Sequence, residues 1–91
     1  MAKSIHIKTA IPGPKSQQII SRREAAVPNG LYKAHPIAIE HAHGATVTDV
    51  DGNTYIDFVG GIGVLNAGHT MPAVVDAIHE QSKKLIHFSA L

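Results

Sequence analysis

The stretch Ala45-Thr46-Val47-Thr48-Asp49-Val50-Asp51-Gly52-Asn53-Thr54-Tyr55-Ile56-Asp57-Phe58 alternates on both sides of its centre. β-branched and aromatic residues recur at every second place, which puts successive side chains on opposite faces of a strand. Asp51-Gly52-Asn53 between the two runs is hairpin chemistry, because Asp and Gly tolerate the positive φ that tight turns demand. Upstream, Pro36-Ile37-Ala38-Ile39-Glu40-His41 reads as extended and His43-Gly44 supplies another turn. The expectation is a three-stranded antiparallel meander over residues 36–58.

Working outward, residues 59–69 form an apolar loop punctuated by Gly60, Gly61, Gly63 and Gly68. Glycine there lets backbone approach a ligand or another strand closely. His69-Thr70-Met71-Pro72 then opens a helix expected over 71–86, with Thr70 as N-cap and Pro72 in the first turn. Val74, Val75, Ile78, Ser82, Leu85 and Ile86 share one side at helical spacing. Asp76 near its start and Lys83 and Lys84 near its end suit the helix dipole, and Glu80 and Lys84 form an i, i+4 pair. On the other flank, Ile11-Pro12-Gly13-Pro14 is a rigid turn, and Pro14 suits the first helical position. Residues 15–27 favour helix, with a narrow stripe of Ile19, Ile20, Arg23 and Val27; Pro28-Asn29-Gly30 ends it. The fold class is therefore an α+β fragment: an N-terminal arm over 1–14, a helix, a meander, a glycine-rich loop and a second helix.

Composition bounds what such a chain does. Its 91 residues are 44% hydrophobic and 16% charged, with a formal net charge of +1. That is room for one small domain, and near-balanced charge supplies no nucleic-acid stripe and no charged tail. With no cysteine, disulfide stapling, thiol chemistry and cysteine-based zinc sites are excluded. The N-terminus lacks the apolar core of a secretory signal. The most apolar run, Phe58 to Leu65, is eight residues with three glycines, far short of the roughly 20 that span a bilayer. A soluble, cytoplasmic chain is expected. Tyr32, Tyr55, Phe58 and Phe88 are its only large rings. A chain this short buries only about 60–68% of its unfolded surface, so it is expected to fold poorly by itself. It stops at Leu91 straight after an apolar segment, which reads as a piece of something longer.

Short constellations do not reach a chemistry. Asp49-Val50-Asp51-Gly52-Asn53 resembles the start of a calcium loop, but the sixth and twelfth places hold Thr54 and Gly60 rather than glycine and glutamate. His41 and His43 share a strand face, yet no carboxylate or third ligand stands at motif spacing, and His6, His35, His79 and His87 are isolated. Gly61-Ile62-Gly63 follows a strand, but Asn66 occupies the place of the third glycine in a dinucleotide fingerprint and no βαβ crossover is present. Asp49, Asp51 and Asp57 read as solvated turn acids. No catalytic residue and no metal ligand is assigned.

The order of the segments carries more. Gly44 to Phe58, quoted above, resembles the opening meander of class III aminotransferases. Its continuation Gly60-Gly61-Ile62-Gly63-Val64-Leu65-Asn66-Ala67-Gly68-His69, with Pro72 opening a helix, is similar to the 4-aminobutyrate branch of that family. Ile11-Pro12-Gly13-Pro14-Lys15-Ser16 and the Arg22-Arg23 pair fit the same branch. Met71 stands where the family commonly has the second histidine of Gly-His-x-His-Pro. The resemblance runs from about Ile7 to His87.

It implies a fold type I α/β architecture, of which residues 15–91 would be part of the small domain. It implies a homodimer with active sites at the subunit interface, made from the remainder of the aminotransferase chain and a second subunit. It also implies pyridoxal phosphate held as a Schiff base on a lysine, and transfer of an amino group from an ω-amino acid to 2-oxoglutarate. By its place in the motif Ile62 would line the substrate channel, with Gly61 and Gly63 beside it as pocket wall. The Schiff-base lysine and the cofactor-binding residues lie further along in the family. The six lysines present sit on termini, loops or a helix end. The chain alone is accordingly expected to bind no cofactor and to be inactive. An alternative reading is a non-catalytic interaction module that docks on a full-length aminotransferase through its apolar run and second helix. Neither nucleic acid nor membrane is expected as a partner.

Overall fold

Pairing on both sides of the Asp-Gly-Asn turn builds a sheet of three strands, β1 (Ile39–His43), β2 (Thr46–Asp49) and β3 (Thr54–Ile56). They lie in the order β1-β2-β3, each pair antiparallel. These strands belong to a computed structural model that describes residues 4–89, so Lys3, Ala90 and Leu91 lie outside the described residues. Val47 faces Ala42 and Tyr55, while Thr48 faces His41 and Thr54. The register slips between Ile39 and His41, where Glu40 is the extra residue of a bulge. The ladder is shorter than the expected 36–58. Pro36 has no N–H to offer a neighbour. At the other end, Asp57 turns the chain by accepting from the Val59 and Gly60 amides at 3.1 and 2.8 Å.

The expectation of solvated turn acids is corrected for Asp49, while Asp51 and Asp57 are half-buried and bound to backbone amides. Asp49 is fully buried. Its Oδ1 accepts from the Asp51 and Asn53 amides, both at 2.9 Å, and its Oδ2 from Asn53 Nδ2 at 3.1 Å and Tyr55 OH at 2.7 Å. Burial pushes its carboxyl up, but the bonds from Tyr55, Asn53 and Asp51 together hold it below the usual range. Tyr55, pressed by burial and by the Asp49 charge it donates to, is raised to about 12. Gly52 takes the positive φ the turn requires, +85°.

Asp51 reaches in another direction. Its two oxygens accept from the Lys15 and Ser16 amides at 2.8 and 2.9 Å. Those amides open α1 (Pro14–Ala26), whose own N-cap, Gly13, contributes no side-chain cap. A carboxylate 35 residues away in sequence thus meets the positive end of the helix. A methyl group at position 13 would overlap the Asp51 carboxyl, so a larger residue there displaces it. Ser16, fully buried, accepts from the Ala38 amide at 3.2 Å. The helix closes with Val27 N donating to Arg23 O, and the Arg23 side chain donates to the Leu31 carbonyl beyond it.

The arm lies along the open edge of β3. His6 and Thr54 exchange both backbone hydrogen bonds, at 3.0 and 2.7 Å. Buried Asn53 accepts from the Lys8 and Thr9 amides at 2.6 and 3.0 Å and donates to Thr9 Oγ1 at 2.8 Å.

α2 (Gly60–Gly63) is a single turn within the glycine-rich loop, and α3 (Pro72–Ser82) follows it. Three expectations for α3 are corrected. Thr70 does not cap it: Met71 is the N-cap, and the Thr70 hydroxyl donates instead to the Ala42 carbonyl at 2.8 Å. It ends at Ser82 rather than 86, as the Lys84 and Leu85 amides converge on the Gln81 carbonyl. Glu80 pairs with Lys83 at 3.2 Å, one residue before Lys84. Every residue of α3 is exposed.

Among the described residues no apolar side chain is buried; the fully buried side chains are those of Ser16, Asp49 and Asn53. The radius of gyration is 16.2 Å, against about 12 Å for a compact domain of this length. The hairpin is organised around polar groups, and the apolar surface is turned outward.

Candidate functional site

Gly60, Gly61, Ile62 and Gly63 all have positive φ, from +61° to +74°. Gly63 N donates to Val59 O at 2.9 Å and Val64 N to Gly60 O at 3.0 Å, so the segment closes a left-handed turn. Three glycines make that conformation cheap, whereas Ile62, at φ 64° and ψ 55°, carries a β-branched side chain in a region such residues avoid. The turn holds its single side chain outward, and Ile62 is 84% exposed. Gly61, Ile62 and Gly63, the residues singled out from the sequence, therefore sit together on one protruding feature.

The ends of the loop meet. Asp57 N donates to Ala45 O at 2.8 Å, and His69 and Gly44 exchange backbone bonds at 2.8 and 3.0 Å. Between them His69 Nε2 lies 2.8 Å from Asp57 Oδ2. A carboxylate only accepts, so Nε2 carries the proton. The bond from His69 first, with those from the Gly60 and Val59 amides, holds the Asp57 carboxyl below the usual range. Both side chains are mostly covered, 21% and 16% exposed. Residue-by-residue reading missed this pair. The available signal was an acid and an imidazole flanking one glycine-rich loop.

Beneath the loop is an open cavity of about 310 Å³ lined by Gly44, Ala45, Asp57, Gly60, Leu65, Ala67, Gly68 and His69. Elsewhere the sequence candidates stay apart. His41 meets its neighbour Glu40 at 3.3 Å, and among the described residues no group of three histidines or acids is placed to hold a metal.

Comparison with known proteins settles the family. Residues 28–91 match the sequence profile of aminotransferase class-III. The chain belongs to the class-III aminotransferase family. A 5-aminovalerate aminotransferase of Pseudomonas aeruginosa is 50% identical over 72 residues, which are 79% of this chain and 17% of that protein. A 4-aminobutyrate aminotransferase of Escherichia coli K12 is 46% identical over the same share of each chain. An acetylornithine aminotransferase structure from Elizabethkingia anophelis superposes with a TM-score of 0.75 at 32% identity, covering 82% of this chain and 19% of that one. The fold is thus that of part of a fold type I aminotransferase, and the chain spans under a fifth of the length of these relatives.

Full-length class-III aminotransferases imply pyridoxal phosphate, which needs a lysine amine and donors for its phosphate. The cavity lining contains neither lysine nor arginine. Lys8, Lys15, Lys83 and Lys84 are exposed, and Lys33 pairs with Glu24 at 3.0 Å. The lining of this cavity therefore does not fit that group. No helix among them is long and apolar enough to cross a membrane.

Proposed function

We propose that this chain is the N-terminal part of a pyridoxal-phosphate-dependent ω-aminotransferase that moves an amino group from 4-aminobutyrate, or a donor of similar length, to 2-oxoglutarate. The observation that carries the reading is the 46–50% identity to two aminotransferases whose donors bear a terminal amine on an unbranched chain. Its own contribution is to the substrate-pocket wall: Ile62, flanked by Gly61 and Gly63, faces the donor from a turn whose backbone is held in place. Residues 15–91 belong to the small domain, and residues 1–14 are its N-terminal arm. The complete enzyme is a cytoplasmic homodimer, and the remainder of the chain with the second subunit covers the apolar surface of α2 and α3. The 91-residue chain alone does not transaminate, since none of its described lysines adjoins the cavity.

Two assays test this. Borohydride treatment of the 91-residue chain with pyridoxal phosphate leaves its mass unchanged; covalent cofactor at a single lysine overturns the inactivity. A complete enzyme carrying this segment transaminates 4-aminobutyrate, and a complete enzyme indifferent to ω-amino acids overturns the donor class.

The exposure of Phe58 (90%), Ile62 (84%) and Ile78 (64%) also favours a second reading, in which the chain itself docks on a full-length aminotransferase. Absence of association with such an enzyme at micromolar concentration removes it.

A further inference from the structure

The strongest unexplained feature is the joining of two residues across twelve positions at the base of the left-handed turn. Asp57 uses both oxygens there. Oδ1 takes the Val59 and Gly60 amides, and Oδ2 takes His69 Nε2 at 2.8 Å. His69 is fixed in turn by its two backbone bonds to Gly44, and Thr70 by its hydroxyl on Ala42 O. Both ends of the loop are therefore anchored to the β1–β2 turn, and the Asp57 carboxylate joins the His69 end to the amides that lead into the left-handed turn. Within the turn the three glycines and two local backbone bonds favour the left-handed shape, but Ile62 lies in a region a β-branched residue avoids. The contacts at the base of the loop offset that cost.

We infer that Asp57 and His69 are positioning residues: their side-chain pair clasps the base of the loop and fixes the left-handed turn that presents Ile62 to the amino donor. They act through the turn. The inference rests on the pocket-wall reading above, in one respect only: that Ile62 meets the donor.

The test uses a complete class-III aminotransferase carrying this segment, with variants His69→Ala, His69→Gln and Asp57→Asn, and Ile62→Ala as the independent probe of the wall. Two readouts are taken: amide exchange over residues 58–68, and kcat and KM for 4-aminobutyrate. In His69→Ala, exchange over the loop speeds about tenfold, and donor KM rises about tenfold with kcat changed less than about threefold, the signature of lost binding rather than lost chemistry. His69→Gln, whose amide can still donate to Asp57, restores most of both. Where the alanine variant does not accumulate, Asp57→Asn carries the same measurements. Unchanged exchange overturns the clasp. Faster exchange with unchanged KM, while Ile62→Ala does shift KM, overturns the positioning role. If Ile62→Ala leaves KM unmoved as well, it is the pocket-wall reading that has failed, and the inference falls with it. A uniform loss of kcat that His69→Gln does not rescue also overturns it.

Discussion

The hairpin tip and the loop-plus-helix region are built on opposite terms. Around Asp49, Asp51 and Asn53, every buried side-chain polar atom has a partner, and the arm, α1 and the sheet converge on the same few atoms. From Phe58 onward the chain makes regular turns, but Phe58, Ile62, Val64 and Ile86 stand 74–90% exposed. The first region is complete with the residues at hand. The second has secondary structure whose apolar side chains stay unburied among the described residues. The contrast shows that polar satisfaction can organise a segment locally, whereas an apolar helix face, with no other surface to bury it, organises nothing.

Several changes would break or sharpen that contrast. The largest effect is expected from Asp49→Ala, which strands the Asn53 and Asp51 amides and the Tyr55 hydroxyl. The local opening free energy at the Asn53 amide, read by hydrogen exchange, should fall by about 3 kcal/mol or more. Gly13→Ala, which forces Asp51 off the α1 amides, should cost about 2 kcal/mol at Ser16 by the same readout. Tyr55→Phe should cost about 1 kcal/mol and should abolish the tyrosine ionisation centred near pH 12. Because that value lies above the ordinary ~10, the Tyr55 contribution is intact below pH ~10 and is lost as pH rises through about 12. Asp49 and Asp57 run the other way. Both are depressed, so their contribution is intact above ~4 and is lost as pH falls through the lowered values. In the second region the effects shrink. Ile62→Gly should leave stability within about 1 kcal/mol, because relief of the left-handed cost offsets glycine's entropy. Glu80→Ala, which removes an exposed pair to Lys83, should change helix stability by less than about 0.5 kcal/mol.

What could be read from the sequence divides along similar lines. The meander was legible because strand alternation and Asp-Gly-Asn turn chemistry are local signals. The family was legible because many weak matches fall in one order. The arm's docking was not legible: Lys8 and Asn53 are 45 positions apart, and no periodicity links an asparagine side chain to distant amides. The three turn acids looked solvated for the same reason, since a carboxylate in a turn declares nothing about which N–H groups will find it. Thr70 fits the N-cap pattern, but its φ of +46° aims the hydroxyl at Ala42. Handedness at residues 60–63 was also hidden. Three glycines permit either hand, and Ile62 taken alone argues against the one that forms.

That left-handed isoleucine has a consequence for anyone varying the protein. Position 62 changes two properties whenever it changes one. Glycine and asparagine relax the backbone as they alter the exposed surface, while valine and threonine keep the load that isoleucine carries. A library randomised there is sorted by foldability before any ligand is added. Winners rich in glycine or asparagine would then report on the backbone first and on recognition only second.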